Sequence, residues 1–379
     1  MEIIPFQDAG WDSIAPHWDA VAGRCANVSV FMSSTWIGAW WQSFAARLRP
    51  EVLLWRDAQG QPGAIAILSV KSERAGPLPV RAAYLNATGE SAVASEHNVI
   101  LCIPGLEKQM RGDLARRLRE LKVDVLRLEG FRAGDSQPLL RLWGKPGPVS
   151  GFYSEDRHVP LVSLRLAGTA FLQSLSRNTR EQINRSLRRY AQLHGAAPVA
   201  QFAPSAQLAL RWFDELRELH NARWQARGGG GAFADPGALA MHRRLIAATS
   251  DCSATSESLA ASLVRISAGE KTIGLLYNFT KDGNISFYQS GLCYETDARL
   301  KPGLVSHALA IQKYLDAGYL EYDFLAGETA SVQYKTSLGS GTRRLAWLNV
   351  YRPTLKLQAL DLARRAMRLV RRARARTHR

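Results

Sequence analysis

A short segment in the second half of the chain combines the residue types that bind phosphate. A predicted strand ends near Gly291, a polar loop follows, and Pro302 opens a predicted helix. The N–H groups of a first helical turn have no partner inside the helix and carry partial positive charge, so they attract phosphate. Gly303 allows close approach to the backbone, and Arg299 and Lys301 add charge. The alternative is an ordinary turn with proline at the first helical position.

A basic helix predicted within residues 169–194 is the second candidate. It carries five arginines opposed only by Glu181, and residues three or four apart share one face of a helix. This face is a candidate site for an anionic acceptor, such as a nucleotide-linked or lipid-diphosphate-linked sugar. The alternative is a solvated basic helix. The arginines are Arg177, Arg180, Arg185, Arg188 and Arg189.

Charge and composition limit the class of protein. The 379 residues are 46% hydrophobic and carry a formal net charge of +16, which indicates a globular protein with an anionic partner. Residues 353–379 hold nine basic residues and one acid, a net +8, so half of the excess lies in this tail. A DNA-binding groove across the whole protein is therefore not expected. The apolar residues among the arginines of 355–376 predict an amphipathic helix on an anionic membrane surface.

The cysteines and the N-terminus indicate a cytoplasmic protein. Four widely spaced cysteines form no CxxC pair, so neither a disulfide framework nor a metal site is expected. The first residues have no basic segment followed by an apolar core, as a signal peptide requires. No apolar run approaches the roughly 18 residues of a membrane span.

Hydrophobic periodicity predicts the same α/β plan in each half of the chain, with helices, an antiparallel meander, a helix and a further strand. This indicates a structural duplication without sequence repetition. The predicted domains are 1–150, 151–352 and a basic tail, 353–379. The predicted helices lie within 10–50 and at 109–121, 169–194, 204–226, 235–249 and 302–317. The predicted strands are 51–56, 63–71, 82–86, 98–102, 123–129, 159–166, 262–267, 272–280, 284–291, 319–325 and 346–351.

Three segments together give a family resemblance. They are Pro302-Gly303, Asp323–Gly327 and Tyr334-Lys335. They resemble the Pro-Gly turn, the Asp-Phe-Leu-x-Gly element and the Tyr-Lys pair of the BioF2-like, GNAT-like acyltransferases of bacterial exopolysaccharide and cellulose synthesis, distant relatives of the FemABX peptidyltransferases. Upstream matches are Ser176–Arg180, Arg223-Trp224, Arg227-Gly228 and the aromatic helix from Phe31 through Trp36, so the resemblance covers most of residues 30–350.

The resemblance implies two GNAT-like domains in tandem, each a mixed, largely antiparallel sheet flanked by helices, with the first domain degenerate. It implies an acyltransferase that uses acyl-CoA, most simply acetyl-CoA, on an amine or hydroxyl of a sugar precursor or polysaccharide intermediate. The usual phosphate-binding loop of GNAT proteins, Gln/Arg-x-x-Gly-x-Gly/Ala, is not intact at 299–305. This segment has a single glycine, which lies one residue later than the pattern requires. An aminoacyl-tRNA donor, as in the FemABX branch, therefore stays open, as does a non-catalytic module that docks a synthesis complex to the inner face of the membrane.

Acyl transfer requires a base for the acceptor and donors for the developing negative charge. Asp323 is the first candidate base, although acids at strand ends often cap a turn or pair with arginine. The other expected catalytic residues are Glu328 as a second base, Tyr334 as donor to the leaving thiolate, and Lys335 as a contact for phosphate or acceptor. The expected cofactor contacts are Arg299, Lys301, Gly303, Leu304 and His307, where His307 faces either the cofactor turn or the surface. The expected substrate contacts are Arg177, Arg180, Trp224 and Arg227.

Overall fold

The computed structural model describes residues 1–75, 78–142, 154–166, 168, 170–225, 231–249, 259–326, 329–359 and 362. Within these residues the helices are α1 (Trp11–Ala22), α2 (Ser34–Leu48), α3 (Glu107–Glu120), α4 (Ala133–Ser136), α5 (Phe171–Ser174), α6 (Arg177–His194), α7 (Ala206–Gln225), α8 (Pro236–Thr249), α9 (Pro302–Asp316) and α10 (Thr329–Leu338). The strands are β1 (Glu2–Pro5), β2 (Glu51–Arg56), β3 (Pro62–Ala75), β4 (Leu78–Leu85), β5 (Leu101–Cys102), β6 (Val125–Arg132), β7 (Ser154–Ser163), β8 (Val199–Phe202), β9 (Ala260–Ala268), β10 (Lys271–Lys281), β11 (Asn284–Leu292), β12 (Glu321–Asp323) and β13 (Gly341–Tyr351).

The chain divides into two compact units. The first contains Met1–Arg157 and Arg344–Arg379, and the second contains His158–Arg343. The sequence assigns residues 344–352 to the C-terminal domain, whereas in the structure they group with the first unit. The reason is that β13 pairs antiparallel with β6, from Leu345 opposite Arg132 to Tyr351 opposite Val125.

The first unit has the strand order β1-β2-β3-β4-β6-β13, with β5 beside β3. Its one parallel pair among these strands is β4 with β6, and α3 lies between the two in the chain. The predicted aromatic face of α2 is confirmed, because Trp36, Trp40 and Phe44 are at most 1% exposed. Ser33 caps this helix by accepting a hydrogen bond from the N–H of Trp36.

The second unit has the strand order β7-β12-β11-β10-β9-β8. Strands β9, β10 and β11 form the predicted antiparallel meander, and β12 then pairs parallel with β11 after the crossover helix α9. On one face the sheet packs against α6 and α9, through Ile183 and Ile311 among others. On the other face α7 and α8 pack, where Phe213 and His242 contact Tyr277. The predicted fold class, with mixed and largely antiparallel sheets flanked by helices, is confirmed.

Some predictions fall where the structure gives no description. Glu328, Arg227, the linker 144–151 and most of the tail beyond residue 359 lie outside the described residues. The membrane role of 355–376 therefore stays a prediction. Among the helices that the structure describes, none combines the length and apolar character that crossing a bilayer requires.

Close packing of α7 on the sheet gives a stability prediction. A Cβ atom at Gly291 would lie 2.5 Å from the carbonyl oxygen of Leu216 and 2.8 Å from its Cα atom, and both belong to backbone that cannot rotate away. We expect Gly291→Ala to cost about 1–3 kcal/mol and to lower the thermal unfolding midpoint by several degrees.

The matched control is Gly303→Ala in the same unit, because its Cβ would meet its nearest neighbour, Leu292, at an ordinary 3.5 Å. This variant should unfold close to the parent temperature. Equal midpoints for the two variants would show that α7 does not pack tightly on β11.

Candidate functional site

The two central strands of the second unit diverge soon after they pair. The parallel pairing of β11 with β12 joins only three residue pairs, from Asn284 with Glu321 to Ser286 with Asp323. Strand β12 then ends, and Leu325 adopts a left-handed conformation with φ 52°. Strand β11 continues to Leu292 and pairs there with β10, and no other described strand pairs with it beyond Ser286. On this second edge Ser290 already donates its N–H to Gln289 Oε1, and its carbonyl lies 3.2 Å from His220 Nδ1. The rest of the edge can pair with an extended ligand.

The first turn of α9 supplies the predicted free amides. Pro302 occupies the first position, and no side chain caps the helix. The N–H of Val305 bonds to the carbonyl of Lys301 at 3.0 Å, and the N–H of Lys301 donates to Ser186 Oγ at 3.0 Å. No described group accepts from the N–H of Gly303 or Leu304. These two amides are available to an anion.

Tyr334 lies against this turn. Its ring is 3.8 Å from the position of a Cβ atom on Gly303, and Leu292 at the end of β11 is 3.5 Å from the same position. Burial is the main cause that raises the pKa of Tyr334 to about 12, and Tyr294 nearby raises it further while Arg223 lowers it. The phenol is therefore protonated at neutral pH and can donate a hydrogen bond, while its role toward a leaving thiolate stays a prediction.

Tyr294 is a member of the site that the sequence did not indicate. Tyr294 is 54% exposed, the guanidinium carbon of Arg223 lies 4.5 Å from its ring centroid, and Nη1 of Arg223 donates a hydrogen bond to its hydroxyl. Arg223 belongs to α7, so this contact ties α7 to the loop that leads into α9. An aromatic residue three positions after Gly291 in a polar loop is the signal that could have identified it.

His307 lies inside the core, directly below the turn. Its side chain is 0% exposed, and its ring packs edge to face on Phe287, with centroids 4.5 Å apart. Nδ1 lies 3.1 Å from the hydroxyl of Tyr322, and Nε2 has no hydrogen-bond partner among the described residues. Burial, and then the charge of Lys335, hold the pKa of His307 well below its ordinary value. The expected surface alternative is thus wrong, while a cofactor contact stays a prediction.

Asp323 and Lys335 are both buried and both bonded to the chain that leaves β12. Asp323 is 4% exposed, and its Oδ1 accepts from the N–H of Leu325 at 2.8 Å while its Oδ2 lies 3.1 Å from Arg343. It therefore caps a turn and also pairs with an arginine, the two alternatives to a base. Lys335 is 5% exposed and donates to the carbonyl of Phe324 at 3.0 Å. Their catalytic roles stay predictions.

The loop before α9 is held by one carboxylate. Asp297 accepts from the side chain and the backbone N–H of Arg299, and also from Nε of Arg189 at 2.9 Å. Arg299 is the largest of the causes that depress the pKa of Asp297. Arg189 and Ser186 both belong to α6, so the C-terminal half of the basic helix is fixed beside the turn. Lys301 is exposed there.

Of the expected substrate contacts, Arg177 and Arg180 lie on the N-terminal half of α6, away from this turn, and Arg227 lies outside the described residues. Arg177 begins α6, about 18 Å along the helix axis from Arg189, and pairs with Glu181 at 2.8 Å. Arg180 donates to the carbonyl of Gln173 at 3.4 Å. Trp224 is half-buried on α7, with its ring centroid 5.9 Å from that of His220.

Comparison with known proteins agrees with this geometry. Residues 177–336 match the family model described as an acetyltransferase (GNAT) domain. The matched stretch includes α6, the turn at Gly303 and Tyr334, and ends within α10. No curated protein matches the sequence.

Three solved structures show the fold over nearly the whole chain. FemX has a TM-score of 0.57 at 11% identity, over 95% of this chain and 100% of its own. A conserved protein of unknown function from Bacteroides thetaiotaomicron has a TM-score of 0.52 at 9% identity, over 88% and 97%. A protein from Agrobacterium fabrum, described as the C-terminal domain of a lysylphosphatidylglycerol synthetase, has a TM-score of 0.50 at 8% identity, over 93% and 96%. At these identities the likeness concerns the fold alone.

Three buried neutral histidines within residues 177–336 give a pH prediction. Burial lowers the pKa of His220, of His242 to about 3, and of His307. In the unfolded chain each takes up a proton near pH 6.5, which the folded protein does not bind, so stability falls as the pH drops below about 6.5. For a histidine with a folded pKa near 3, the loss between pH 6.5 and 4.5 is about 2 kcal/mol.

Urea unfolding at pH 6.5, 5.5 and 4.5 measures this loss. His307→Gln should reduce the slope of the unfolding free energy against pH by the equivalent of about one proton. This holds whatever the substitution does to stability at pH 6.5. The carboxylates with depressed pKa values, Asp57 and Asp297, titrate below this window in the unfolded chain. An unchanged slope in the variant would mean that His307 is protonated in the fold.

Proposed function

We propose that this protein is an acyltransferase that moves an acyl group, most simply acetyl, from acyl-CoA to an amine or hydroxyl of a sugar precursor or polysaccharide intermediate. The observation that carries the proposal is the pair of free amides of Gly303 and Leu304, at the start of a 15-residue helix beside the point where β11 and β12 diverge. A pyrophosphate suits such amides. The extended amide-bearing arm of the donor suits the open edge of β11.

The chemistry requires few protein groups. The acceptor nitrogen or oxygen attacks the thioester carbonyl and loses a proton, the new C–N or C–O bond forms, and the C–S bond breaks. The departing thiolate then needs a proton, and Tyr334 is the protonated group beside the turn. The acceptor's base is Asp323, Glu328 or a water; in the structure Asp323 is already engaged by Leu325 and Arg343.

The acceptor is proposed to be anionic because of α6. Two of its arginines, Arg185 and Arg188, are exposed and have no acidic partner among the described residues. They lie on the half of α6 that Ser186 and Arg189 fix beside the turn, so their charge is fully available to a phosphate or carboxylate. Arg177, Arg180, Trp224 and Arg227 stay proposed contacts for the more distant parts of the acceptor.

A substitution at Gly303 tests donor binding. Gly303→Asp places a carboxylate beside the free amides, where it repels a pyrophosphate and competes for the same N–H groups. We expect calorimetric affinity for acetyl-CoA to fall by a factor of ten or more. Gly303→Ala adds a methyl group without charge and fits the structure, so it should retain more affinity than the aspartate variant. Unchanged binding in Gly303→Asp would place the donor elsewhere.

Tyr334→Phe tests the leaving-group role. Loss of the hydroxyl should lower kcat by about tenfold to a hundredfold, within the range for general acid catalysis, and leave the affinity for acetyl-CoA nearly unchanged. Release of free CoA, followed by mass spectrometry with an amino sugar as acceptor, measures turnover. Full activity in the phenylalanine variant would remove Tyr334 from the mechanism and leave the donor site intact.

The charge of α6 also favours a second candidate, an aminoacyl-tRNA donor of the kind that the FemABX resemblance implies. A nucleic acid bound by arginines loses affinity steeply with salt because counterions are released. Titrations with tRNA and with acetyl-CoA at two salt concentrations separate the candidates. Salt-sensitive tRNA binding without acetyl-CoA binding would replace the first proposal with the second.

A further inference from the structure

The arginines of α3, in the first unit, divide into two groups by their partners. Arg116 bonds to Asp113, and Arg117 bonds to Glu51 and Glu120. Arg111 and Arg119 have no hydrogen-bonded or ionic partner among the residues that the structure describes. They are eight positions apart, with Ala115 midway, so they lie on one face of the helix. Glu107 lies four positions before Arg111 on the same face, but its carboxylate accepts from the N–H of Gly105. The face that carries Arg111 and Arg119 therefore has no ion pair among the described residues and is separate from the face that is neutralised.

A cavity of about 670 Å³ opens on this face, between α3 and the segment that follows α4. Arg111 and Arg119 line it from α3, and Arg141 joins them from the other side. Like its two neighbours, Arg141 has no acidic partner among the described residues. The remaining lining residues are small or apolar, namely Gly112, Ala115, Pro138 and Leu142.

Three cations around one cavity repel one another unless an anion lies between them. A folded protein usually pairs arginines that are brought together, as this helix does with Arg116 and Arg117. The volume also matters, because it falls in the range of roughly 300–1,000 Å³ that small-molecule sites occupy. Gly112 and Ala115, which lie between Arg111 and Arg119 in the sequence, have little or no side chain. The cavity between the arginines is therefore not filled by side chains from α3.

We propose that this cavity is a binding site for a small phosphorylated molecule, separate from the donor site of the GNAT domain. Arg111 and Arg119 are about 12 Å apart along the helix axis, and the three guanidinium groups together carry more positive charge than one phosphate neutralises. The ligand therefore carries at least two phosphate groups, either as a diphosphate or at separate positions. Its uncharged part lies against Ala115, Pro138 and Leu142. A guanidinium group can bond to a phosphate through two parallel N–H donors, and this geometry gives the site its preference for phosphate groups.

Calorimetric titration of the full chain with inorganic pyrophosphate and with ADP tests the proposal. The titrations use the Gly303→Asp background, so that the free amides of α9 do not contribute. Arg119→Gln and Arg141→Gln should each lower the affinity for both probes by about tenfold, because each removes a charge-assisted contact. Inorganic phosphate should bind more weakly than pyrophosphate to the unsubstituted cavity.

Arg116→Gln is the matched control, because it removes the same charge from the same helix on the face that Asp113 neutralises. It should change both affinities by less than twofold. Equal losses in Arg116→Gln and Arg119→Gln would show binding to the general positive charge and overturn the proposal. Absence of pyrophosphate and ADP binding to a chain whose thermal unfolding is unchanged would overturn it as well. Neither result bears on acetyl-CoA binding at Gly303.

Discussion

The parallel pairing of β11 with β12 stops after Ser286 and Asp323, and the candidate site depends on where it stops. Three interactions turn the chain away from β11 at that point. Asp323 caps the N–H of Leu325, Leu325 adopts a left-handed conformation, and Lys335 bonds to the carbonyl of Phe324. Through these contacts Asp323 and Lys335 help to keep the chain after β12 apart from β11, which leaves the gap between them where the candidate site lies. A carboxylate and an ammonium that are buried with bonded partners suit this function, since each would be costly to leave unpaired.

The buried polar groups beneath the site follow from the same constraint. The ammonium of Lys335 lies 4.9 Å from the ring centroid of Phe287, and the ring of His307 packs on the same phenylalanine. Burial, and then the charge of Lys335, keep the pKa of His307 low, so this histidine is neutral. On the opposite face of the sheet, His242 lies between the hydroxyls of Tyr277 and Tyr288 in an equally dry environment. The sheet that supports the gap is thus rigid on both faces, which an ordered binding site requires.

The sequence predicted those elements whose local signals agree with their packing. The free start of α9 follows from Pro302 and the glycine beside it, and the buried face of α2 follows from aromatic residues at helical spacing. Strands β1 and β8 were missed because each has only four residues, too few to show alternation. Helix α10 was missed because serine, threonine and valine weaken helix propensity and its apolar residues follow no clear stripe. The contacts of Asp323 with Arg343 and of Arg223 with Tyr294 join residues far apart in the chain, which spacing cannot reveal.

The two units repeat one plan, and the difference between their crossover helices explains why the proposed donor site belongs to the second. In the first unit Pro104-Gly105 precedes α3, much as Pro302-Gly303 opens α9. There, however, the N–H of Gly105 already donates to Oε2 of Glu107 at 2.8 Å. The carboxylate of Glu107 in the first turn of α3 repels phosphate, whereas Lys301 at the start of α9 attracts it. The start of α3 is therefore less suited to an anion than the start of α9. In the first unit, unpaired positive charge lies instead along the face of α3 that carries Arg111 and Arg119 and around the cavity there.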